Sequence, residues 1–273
     1  MNNEYNVLET KGLSRYFGGL KAVSNFSMTL MPNELVGLIG PNGAGKTTVF
    51  NLITGMYAPS AGSIKFCGDE ISNLKPYQIA QKGITRTFQN IRLFSTLSVL
   101  DNIRIANHNN VNYGVAHAVL HSKKFKDNEK LIKEKAMQVL EIFGLTSRAY
   151  EIAKNLPYGE QRRLEIARAL IGKPKLLLLD EPGAGMNPSE IKNLMELIDF
   201  VHEQFNLTIL LIEHQMRIVM GICERVVVMD FGEIISQGNP DEIQSDQKVI
   251  EAYLGKSTTE CVTDKNEEVE DVV

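Results

Sequence analysis

The stretch from Gly40 to Thr48, GPNGAGKTT, places glycines, a lysine and two threonines in the spacing G-x-x-x-x-G-K-[ST]. The glycines allow the backbone to curl so that successive N–H groups point inward and form a nest for an anion. The strand-like run LVGLI precedes the loop and a helix-compatible segment follows it, which is the context this motif requires. The sequence therefore predicts a nucleoside triphosphate site formed by Gly40, Pro41, Asn42, Gly43, Ala44, Gly45, Lys46, Thr47 and Thr48.

Two acidic residues, Asp180 and Glu181, follow the apolar run LLLL. Side chains that follow a buried parallel strand face the crevice in which α/β sheets bind ligands. Asp180 there suits Mg²⁺, directly or through water, and Glu181 suits the polarisation of an attacking water. Two acids at a strand end are ordinarily a solvated turn, but the phosphate loop in the same chain favours the catalytic interpretation.

Gln89 and His214 are two further polar residues at predicted strand ends. Gln89, in RTFQN, follows the strand-like run GITRTF, and His214 ends the apolar run LTILLIEH. A neutral amide at such a place can hold water or Mg²⁺ near the γ-phosphate, and the histidine should face the same crevice. Each residue alone is more often structural, and the nearby phosphate loop favours a functional role for both.

A fifteen-residue stretch, LPYGEQRRLEIARAL at 156–170, predicts a helix with an unusual start. It holds a single glycine, which is too few for a phosphate loop. Gly159 leaves the backbone donors at the helix N-terminus open, and these donors favour an anion. The helix should be anchored to its own fold by Leu164, Ala167, Leu170 and Ile171.

The elements that position these residues follow from the apolar pattern. Strands are predicted at 5–12, 23–30, 35–40, 63–66, 175–180, 207–214 and 225–230, with a hairpin return limb at 231–238. Helices are predicted at 126–143, 190–205 and 215–222. Strands and helices that alternate in the C-terminal half are typical of a parallel α/β sheet. The segment from about 90 to 157 reads as helical throughout, with a polar loop at 108–112.

Composition excludes several classes of protein. The chain has 273 residues, 43% of them hydrophobic and 23% charged, with a net charge of −4. That charge argues against a nucleic-acid binder driven by bulk electrostatics. No apolar run approaches the roughly 18–20 residues that span a bilayer, and the N-terminus lacks the pattern of a secretory signal. Three scattered cysteines, Cys67, Cys223 and Cys261, indicate a reducing, cytosolic compartment.

The motifs GPNGAGKTT, Gln89, LPYGEQRRLEIARAL, LLLLDEP and His214, in this order, resemble an ABC-type ATPase subunit over about residues 5–255. FGGLKAV, RTFQNIRLF, EPGAGMNP and VIEAYLG are similar to the ATP-binding subunit of branched-chain amino acid importers. The resemblance implies an α/β fold of the P-loop NTPase class: a RecA-like parallel sheet core with an antiparallel β subdomain, plus an inserted all-helical lobe. The implied division is a core at 1–88 and 159–255, a helical lobe at 89–158 and an acidic, disordered tail at 256–273.

The resemblance implies that two ATPase subunits meet head to tail. Each ATP would lie between the phosphate loop of one subunit and the signature helix of the other. Phe17 would stack on the adenine, or Tyr16 in its place. The ATP of the partner subunit would contact the signature residues, which here are Pro157, Tyr158, Gly159 and Glu160.

The resemblance also implies ATP and Mg²⁺ as cofactors. Lys46 would hold the phosphates, and Gln89 would sense the γ-phosphate. Glu181 would act as the general base, and His214 would bridge to the γ-phosphate. The residues that hold or support the metal would be Thr47, Gln89 and Asp180.

The implied partners are a second ABC ATPase, identical or related, and two integral membrane permeases on the cytoplasmic face of the inner or plasma membrane. A periplasmic or extracellular substrate-binding protein would act indirectly, and nucleic acid is not expected among the partners. The helical lobe would receive a coupling helix from a permease, with RLFSTLSVLDNI at 92–103 lining part of that groove.

Two departures from the broad ABC pattern affect the mechanism. The usual L-S-G-G-Q is LPYGE at 156–160, so the serine hydroxyl is absent, and Asn187 replaces the usual aspartate. Our hypothesis is that the site stays active through the Gly159 backbone and the helix dipole. The alternatives are an ATPase for urea or amide import, one for lipopolysaccharide export, a soluble non-transport ABC protein and a non-hydrolytic nucleotide-binding regulator; Lys46, Asp180 and Glu181 argue against the last.

Overall fold

The computed structural model describes residues 6–107 and 123–254. The strands are β1 (Leu8–Phe17), β2 (Leu20–Leu30), β3 (Leu35–Ile39), β4 (Ala61–Phe66), β5 (Asp69–Glu70), β6 (Ile84–Arg86), β7 (Leu176–Asp180), β8 (Thr208–Ile212), β9 (Arg225–Asp230) and β10 (Glu233–Gly238). The helices are α1 (Lys46–Ile53), α2 (Pro76–Lys82), α3 (Val99–Ala106), α4 (Lys123–Ile142), α5 (Tyr158–Leu170), α6 (Pro188–Phe205), α7 (Met216–Ile222), α8 (Pro240–Ser245) and α9 (Gln247–Leu254). None of these described helices combines the length and apolar character that a membrane crossing needs.

A six-stranded sheet in the order β10-β9-β3-β8-β7-β6 forms the centre of the fold. All its pairs are parallel except that of β9 with β10, which is antiparallel. Every residue of β3, β7 and β8 is buried, which explains their continuous apolar runs. The predicted parallel α/β sheet and the hairpin after β9 are confirmed. Because parallel strands end at one edge, the segments that follow β3, β7 and β8 meet there.

A second sheet, antiparallel and four-stranded, has the order β2-β1-β4-β5. The predicted strands at 5–12 and 23–30 were too short at the turn of the hairpin, where the first strand ends and the second begins. Strands β1 and β2 continue pairing to Phe17 and Leu20, across a turn that contains Gly18. This outer part of the hairpin is exposed, so its sequence lacks the alternation that marks a half-buried strand. The hairpin places Phe17 at its tip.

The segment predicted as helical throughout, 90–157, is helical in its described part only in α3, α4 and two short 3₁₀ turns, Thr146–Arg148 and Ala153–Asn155. Its first residues are irregular, and the N–H of Arg92 among them donates to the Glu165 carboxylate of α5 in place of a helix ladder. The helix predicted at 126–143 is α4, and it ends before Gly144, whose φ is 66°. The polar loop predicted at 108–112 and the acidic tail lie outside the described residues.

The central sheet lies between two packed layers. Leu35 and Ile39 of β3 pack into a core with helices α3 to α7, whereas Val36 and Leu38 pack against α1 and the antiparallel sheet. This alternation buries both faces of β3 and fixes the position of the loop that follows it. The phosphate loop therefore follows a strand that is buried on both faces.

Candidate active site

The loop between β3 and α1 has a backbone that requires glycine. Gly40, Gly43 and Gly45 have φ angles of 147°, 83° and 103°. A Cβ atom on Gly40 would lie 2.0 Å from the Met229 carbonyl oxygen, and one on Gly45 would lie 2.4 Å from the Ala22 carbonyl oxygen. A side chain at either position would clash with backbone, so the loop conformation depends on these glycines.

Lys46, the first residue of α1, is held inside the loop. Its side chain is buried, and its Nζ donates hydrogen bonds to the Gly40 carbonyl at 2.7 Å and to the Pro41 carbonyl at 2.9 Å. Burial lowers the pKa of Lys46, while the carboxylates of Glu181 and Asp180 act in the opposite direction. An ammonium group is thus positioned where the loop N–H groups would receive phosphates.

A cavity of about 380 Å³ joins the loop to residues from other parts of the chain. Among the predicted site residues, it is lined by Phe17, Asn42, Gly43, Ala44, Gly45, Lys46, Thr47, Thr48, Glu181 and His214. Phe17 rather than Tyr16 belongs to this lining. The Phe17 ring contacts Tyr57 edge to face at 5.3 Å and lies under the Arg15 guanidinium at 4.7 Å. The fold brings these separated sequence motifs into one site.

Glu181 connects the ends of three strands. It follows β7 with a φ of 47°, a strained conformation for a residue with a side chain. Its Oε1 lies 2.5 Å from Nε2 of His214, which follows β8, and its Oε2 accepts a hydrogen bond of 2.7 Å from Gln89, which follows β6. The carboxylate is held between two side chains at the edge of the cavity, an arrangement that can orient and deprotonate a water.

Asp180 is bound to a residue that the sequence analysis did not single out. Its Oδ2 forms an ion pair of 2.7 Å with Arg86 of β6, and both side chains are 6% exposed. Arg86 also donates to Oδ1 of Asn51 at 2.8 Å. The Thr47 hydroxyl and the Asp180 carboxylate are the hard oxygen donors that Mg²⁺ prefers, so these residue types fit the metal.

The signature residues lie apart from this cavity. Pro157 begins α5, and no side chain in the described part of the chain caps the first turn of that helix. Pro157, Gly159 and Glu160 line a separate cavity of about 170 Å³. The Tyr158 hydroxyl donates to the Ala184 carbonyl at 3.0 Å. The fold therefore does not bring the signature residues to the phosphate loop of their own chain.

Several polar residues around the site were missed by sequence reasoning. Arg162 and Glu165 are buried on α5 and bind the segment that carries Gln89. Glu213 is buried and accepts a hydrogen bond of 2.7 Å from the Gly183 N–H; burial raises its pKa, which three backbone N–H donors partly offset. A charged residue inside an apolar run, as Glu213 is in LTILLIEH, was the available signal.

An exposed aromatic residue was also missed. Phe231, at the turn between β9 and β10, lines the 380 Å³ cavity, is 86% exposed and has a φ of 43°. The sequence MDFGEII does not predict the positive φ of Phe231. It does not show whether the glycine or the residue before it takes the strained position in the turn.

Comparison with known proteins identifies the family. The family model described as ABC transporter matches residues 23–184, and one described as branched-chain amino acid ATP-binding cassette transporter matches residues 233–258. The chain belongs to the ABC transporter family. It is 45% identical over 251 residues to the high-affinity branched-chain amino acid transport ATP-binding protein LivG of Escherichia coli (strain K12), covering 92% of this chain and 98% of that protein.

More distant relatives of this ABC protein agree with the fold. It is 34% identical over 250 residues to the lipopolysaccharide export system ATP-binding protein LptB of Haemophilus influenzae (strain ATCC 51907 / DSM 11121 / KW20 / Rd), covering 92% of this chain and 98% of that protein. A crystal structure of the ADP conformation of an ATP-binding cassette of an ABC transporter has a TM-score of 0.80 and 30% identity, covering 92% of this chain and 99% of that one. The predicted P-loop NTPase fold is confirmed.

Proposed function

We propose that this ABC protein is the ATP-hydrolysing subunit of an importer for branched-chain amino acids. The observation that carries the proposal is the convergence of Lys46, Glu181 and His214 on one cavity, with Gln89 bonded to Glu181. The substrate class rests on the likeness to LivG and on the family match at residues 233–258. The subunit acts on the cytoplasmic face of the inner or plasma membrane, peripherally to its membrane partners.

Each site residue has its own role in ATP hydrolysis. The phosphate loop and Lys46 bind the phosphates, and Phe17 contacts the adenine. Thr47 and Asp180 would hold Mg²⁺, which supplies positive charge to the phosphates. Gln89 would lie next to the metal and the γ-phosphate. Glu181 accepts a proton from the attacking water, while His214 fixes the position of the carboxylate. Arg86 holds Asp180 in place through their ion pair.

The active form is a head-to-tail dimer of ATPase subunits, with this chain paired to a second, identical or related one. Pro157 precedes the first turn of α5, and in the described part of the chain no side chain caps that turn, so the N–H groups of Tyr158, Gly159 and Glu160 are open to an anion held by another subunit. Residues 1–88 and 159–255 act as the nucleotide-binding core, and residues 89–158 act as the lobe that contacts the permease.

The surface for the permease is a cleft between α2, β6 and α5. A cavity of about 710 Å³ lies there, and Arg168, Lys173 and Lys175 in its lining supply positive charge, whereas Lys82 in the same lining is paired with Asp69. Residues 92–103 would contribute to the border of this cleft, where the ring of Phe94 lies 5.7 Å from the guanidinium of Arg168. A cytoplasmic helix of a permease with acidic residues would fit this charge. A substrate-binding protein would act through the permeases.

The alternatives differ in cargo rather than in chemistry. Urea or amide import and lipopolysaccharide export would use the same ATPase site. The identity to LptB is 34%, against 45% to LivG, which favours amino acid import. A soluble ABC protein that acts on nucleic acid is disfavoured by the likeness of the chain to ATP-binding proteins of transport systems.

The experiment reconstitutes the subunit with its permeases and partner ATPase in vesicles and measures leucine uptake and ATP hydrolysis. Replacing Glu181 with Gln should lower hydrolysis by about 100-fold or more, because the amide cannot accept the proton, while ATP binding persists. Glu196→Gln, at a side chain 64% exposed, is the matched control. Hydrolysis that proceeds normally in Glu181→Gln would reject the catalytic assignment, and hydrolysis without leucine uptake would reject the cargo.

A further inference from the structure

Arg162 is a fully buried arginine on the second turn of α5. Its Nη1 donates to the Phe88 carbonyl at 2.8 Å, and its Nη2 donates to the Gln89 carbonyl at 3.0 Å. The same guanidinium forms an ion pair of 2.7 Å with Oε2 of Glu165, one turn along the helix. A side chain of the signature helix therefore binds the backbone of the residue that reaches the catalytic carboxylate.

Glu165 completes the attachment from the opposite side. It is 2% exposed, and its Oε1 accepts hydrogen bonds from the N–H groups of Arg92 at 3.1 Å and Phe88 at 3.4 Å. The pair thus binds both carbonyls and amides of residues 88–92, which belong to no helix or strand. We call residues 88–92 the Gln89 segment. Side chains of α5 bind four of its backbone groups, which are the N–H and carbonyl of Phe88, the carbonyl of Gln89 and the N–H of Arg92.

The contacts continue in two directions from Arg162. Towards the helix start, Nη2 of Arg162 donates to the Tyr158 hydroxyl at 3.3 Å, and that hydroxyl donates to the Ala184 carbonyl. Towards the catalytic site, Gln89 donates to Glu181. One guanidinium therefore connects the first turn of α5 with the segments on both sides of the catalytic carboxylate.

The stability of the fold does not account for this pair. Two buried charges lose their hydration, and apolar side chains of similar volume often stabilise a core equally well or better. Apolar side chains, however, could not bind the backbone groups of the Gln89 segment. Planar guanidinium and carboxylate groups hold several groups in fixed directions, so the pair is suited to positioning.

We propose that Arg162 and Glu165 are positioning residues that make α5 and the Gln89 segment move as one body. Movement of the α5 N-terminus onto the ATP of the partner subunit is then transmitted to the hydrogen bond between Gln89 and Glu181 in the site of this chain, so the two ATP sites are coupled. The proposal rests on the head-to-tail dimer of the proposed function. Neither residue touches ATP, and their effect passes through Gln89.

The test compares the double variant Arg162→Met/Glu165→Leu with Lys192→Met/Glu196→Leu, which removes an exposed ion pair of α6 outside this network. Three quantities are measured: urea unfolding and amide hydrogen exchange of the full-length chain, its affinity for a fluorescent ATP analogue, and ATP hydrolysis by the reconstituted complex. Because neither residue touches ATP, the affinity for the ATP analogue should stay within about twofold of wild type. The urea midpoint should fall only modestly, since apolar packing in place of the two charges offsets part of the cost of the unpaired backbone groups. Exchange at Phe88 and Arg92 should accelerate.

In the complex, kcat of the double variant should fall by about 10-fold, and the Hill coefficient for ATP should fall towards 1, while the KM for ATP changes little. Unchanged kcat and Hill coefficient would overturn the proposal, as would a fall in kcat accompanied by an equal loss of ATP affinity. Lys192→Met/Glu196→Leu should match wild type in every measurement.

A second variant covers the case in which the double variant does not fold. Arg162→Lys keeps the charge but cannot donate to Phe88, Gln89 and Glu165 in one plane, so it should also lower kcat and the Hill coefficient. Wild-type behaviour of Arg162→Lys would overturn the proposal. Hydrogen exchange in the full-length chain needs no transporter, so it tests the attachment even if leucine is not the cargo; absent hydrolysis in the wild-type complex would instead refute the proposed function.

Discussion

The phosphate loop and the start of α5 are two anion sites built in different ways. The loop is formed by backbone conformations that glycine alone accepts, with Lys46 bonded to carbonyls of the same loop. No side chain among the described residues caps the start of α5, where Arg162 of the second turn donates a hydrogen bond to the Tyr158 hydroxyl of the first. The first site is complete within one chain, whereas the second presents open donors to a neighbour. We expect substitutions in the loop to affect ATP binding, and substitutions at the α5 start to affect turnover.

Lys46→Ala should have the largest effect and would show whether the loop is self-sufficient. Removing the ammonium leaves the carbonyls of Gly40 and Pro41 facing the phosphates without a compensating cation. We expect ATP affinity to fall by about 100-fold, or about 2.8 kcal/mol, measured with a fluorescent ATP analogue on the chain alone. Lys65→Ala, at an exposed lysine of β4, controls for loss of one positive charge. If Lys46→Ala retained its ATP affinity, the phosphate loop would not depend on the Lys46 ammonium, and its contrast with the start of α5 would fail.

Gly45→Ala should destabilise the fold as well as the site. The new Cβ would lie 2.4 Å from the Ala22 carbonyl oxygen at a φ of 103°. We expect the free energy of unfolding to fall by about 2–3 kcal/mol, measured with urea. Gly172→Ala is the control, because a Cβ there meets no atom within 4 Å. Equal stability of the two variants would show that the loop tolerates a side chain.

The same difference explains how much could be predicted from the sequence. Gly40, Gly43 and Gly45 mark the loop because positive φ angles and close backbone contacts are local requirements with a recognisable residue type. Buried apolar runs likewise gave the central strands, since both faces of β3, β7 and β8 are covered.

What was missed depends on pairs of residues far apart in the chain. Arg86 and Asp180 are an example, since 94 positions separate them and neither residue type identifies the other. Arg162 is a second example. Its partners are backbone groups at Phe88 and Gln89, which any sequence would provide. Only the packing of α5 on the Gln89 segment reveals them.

Gly159→Ala tests the same comparison at the start of α5. A change from glycine to alanine should lower the free energy of unfolding in the phosphate loop but not here. A Cβ there would lie 3.6 Å from Oε1 of Glu190, an ordinary contact, and alanine favours the helix by up to about 1 kcal/mol. The unfolding free energy should stay equal or rise. The added methyl group would keep the α5 backbone from the ATP of the partner, so we expect turnover of the complex to fall by about 10-fold. Unchanged turnover would contradict a signature role for Gly159.

Tyr158→Phe should give the smallest effect and tests how the start of α5 is held. The change removes the hydroxyl that bonds Arg162 and the Ala184 carbonyl, which should cost about 0.5–1.5 kcal/mol in urea unfolding. Tyr150→Phe, at a tyrosine 72% exposed, is the matched control. We expect turnover of Tyr158→Phe to fall by about twofold, because Arg162 keeps its bonds to the Gln89 segment. A fall as large as that of Gly159→Ala would mean that the hydroxyl, rather than the open backbone donors, carries the replacement for the missing serine.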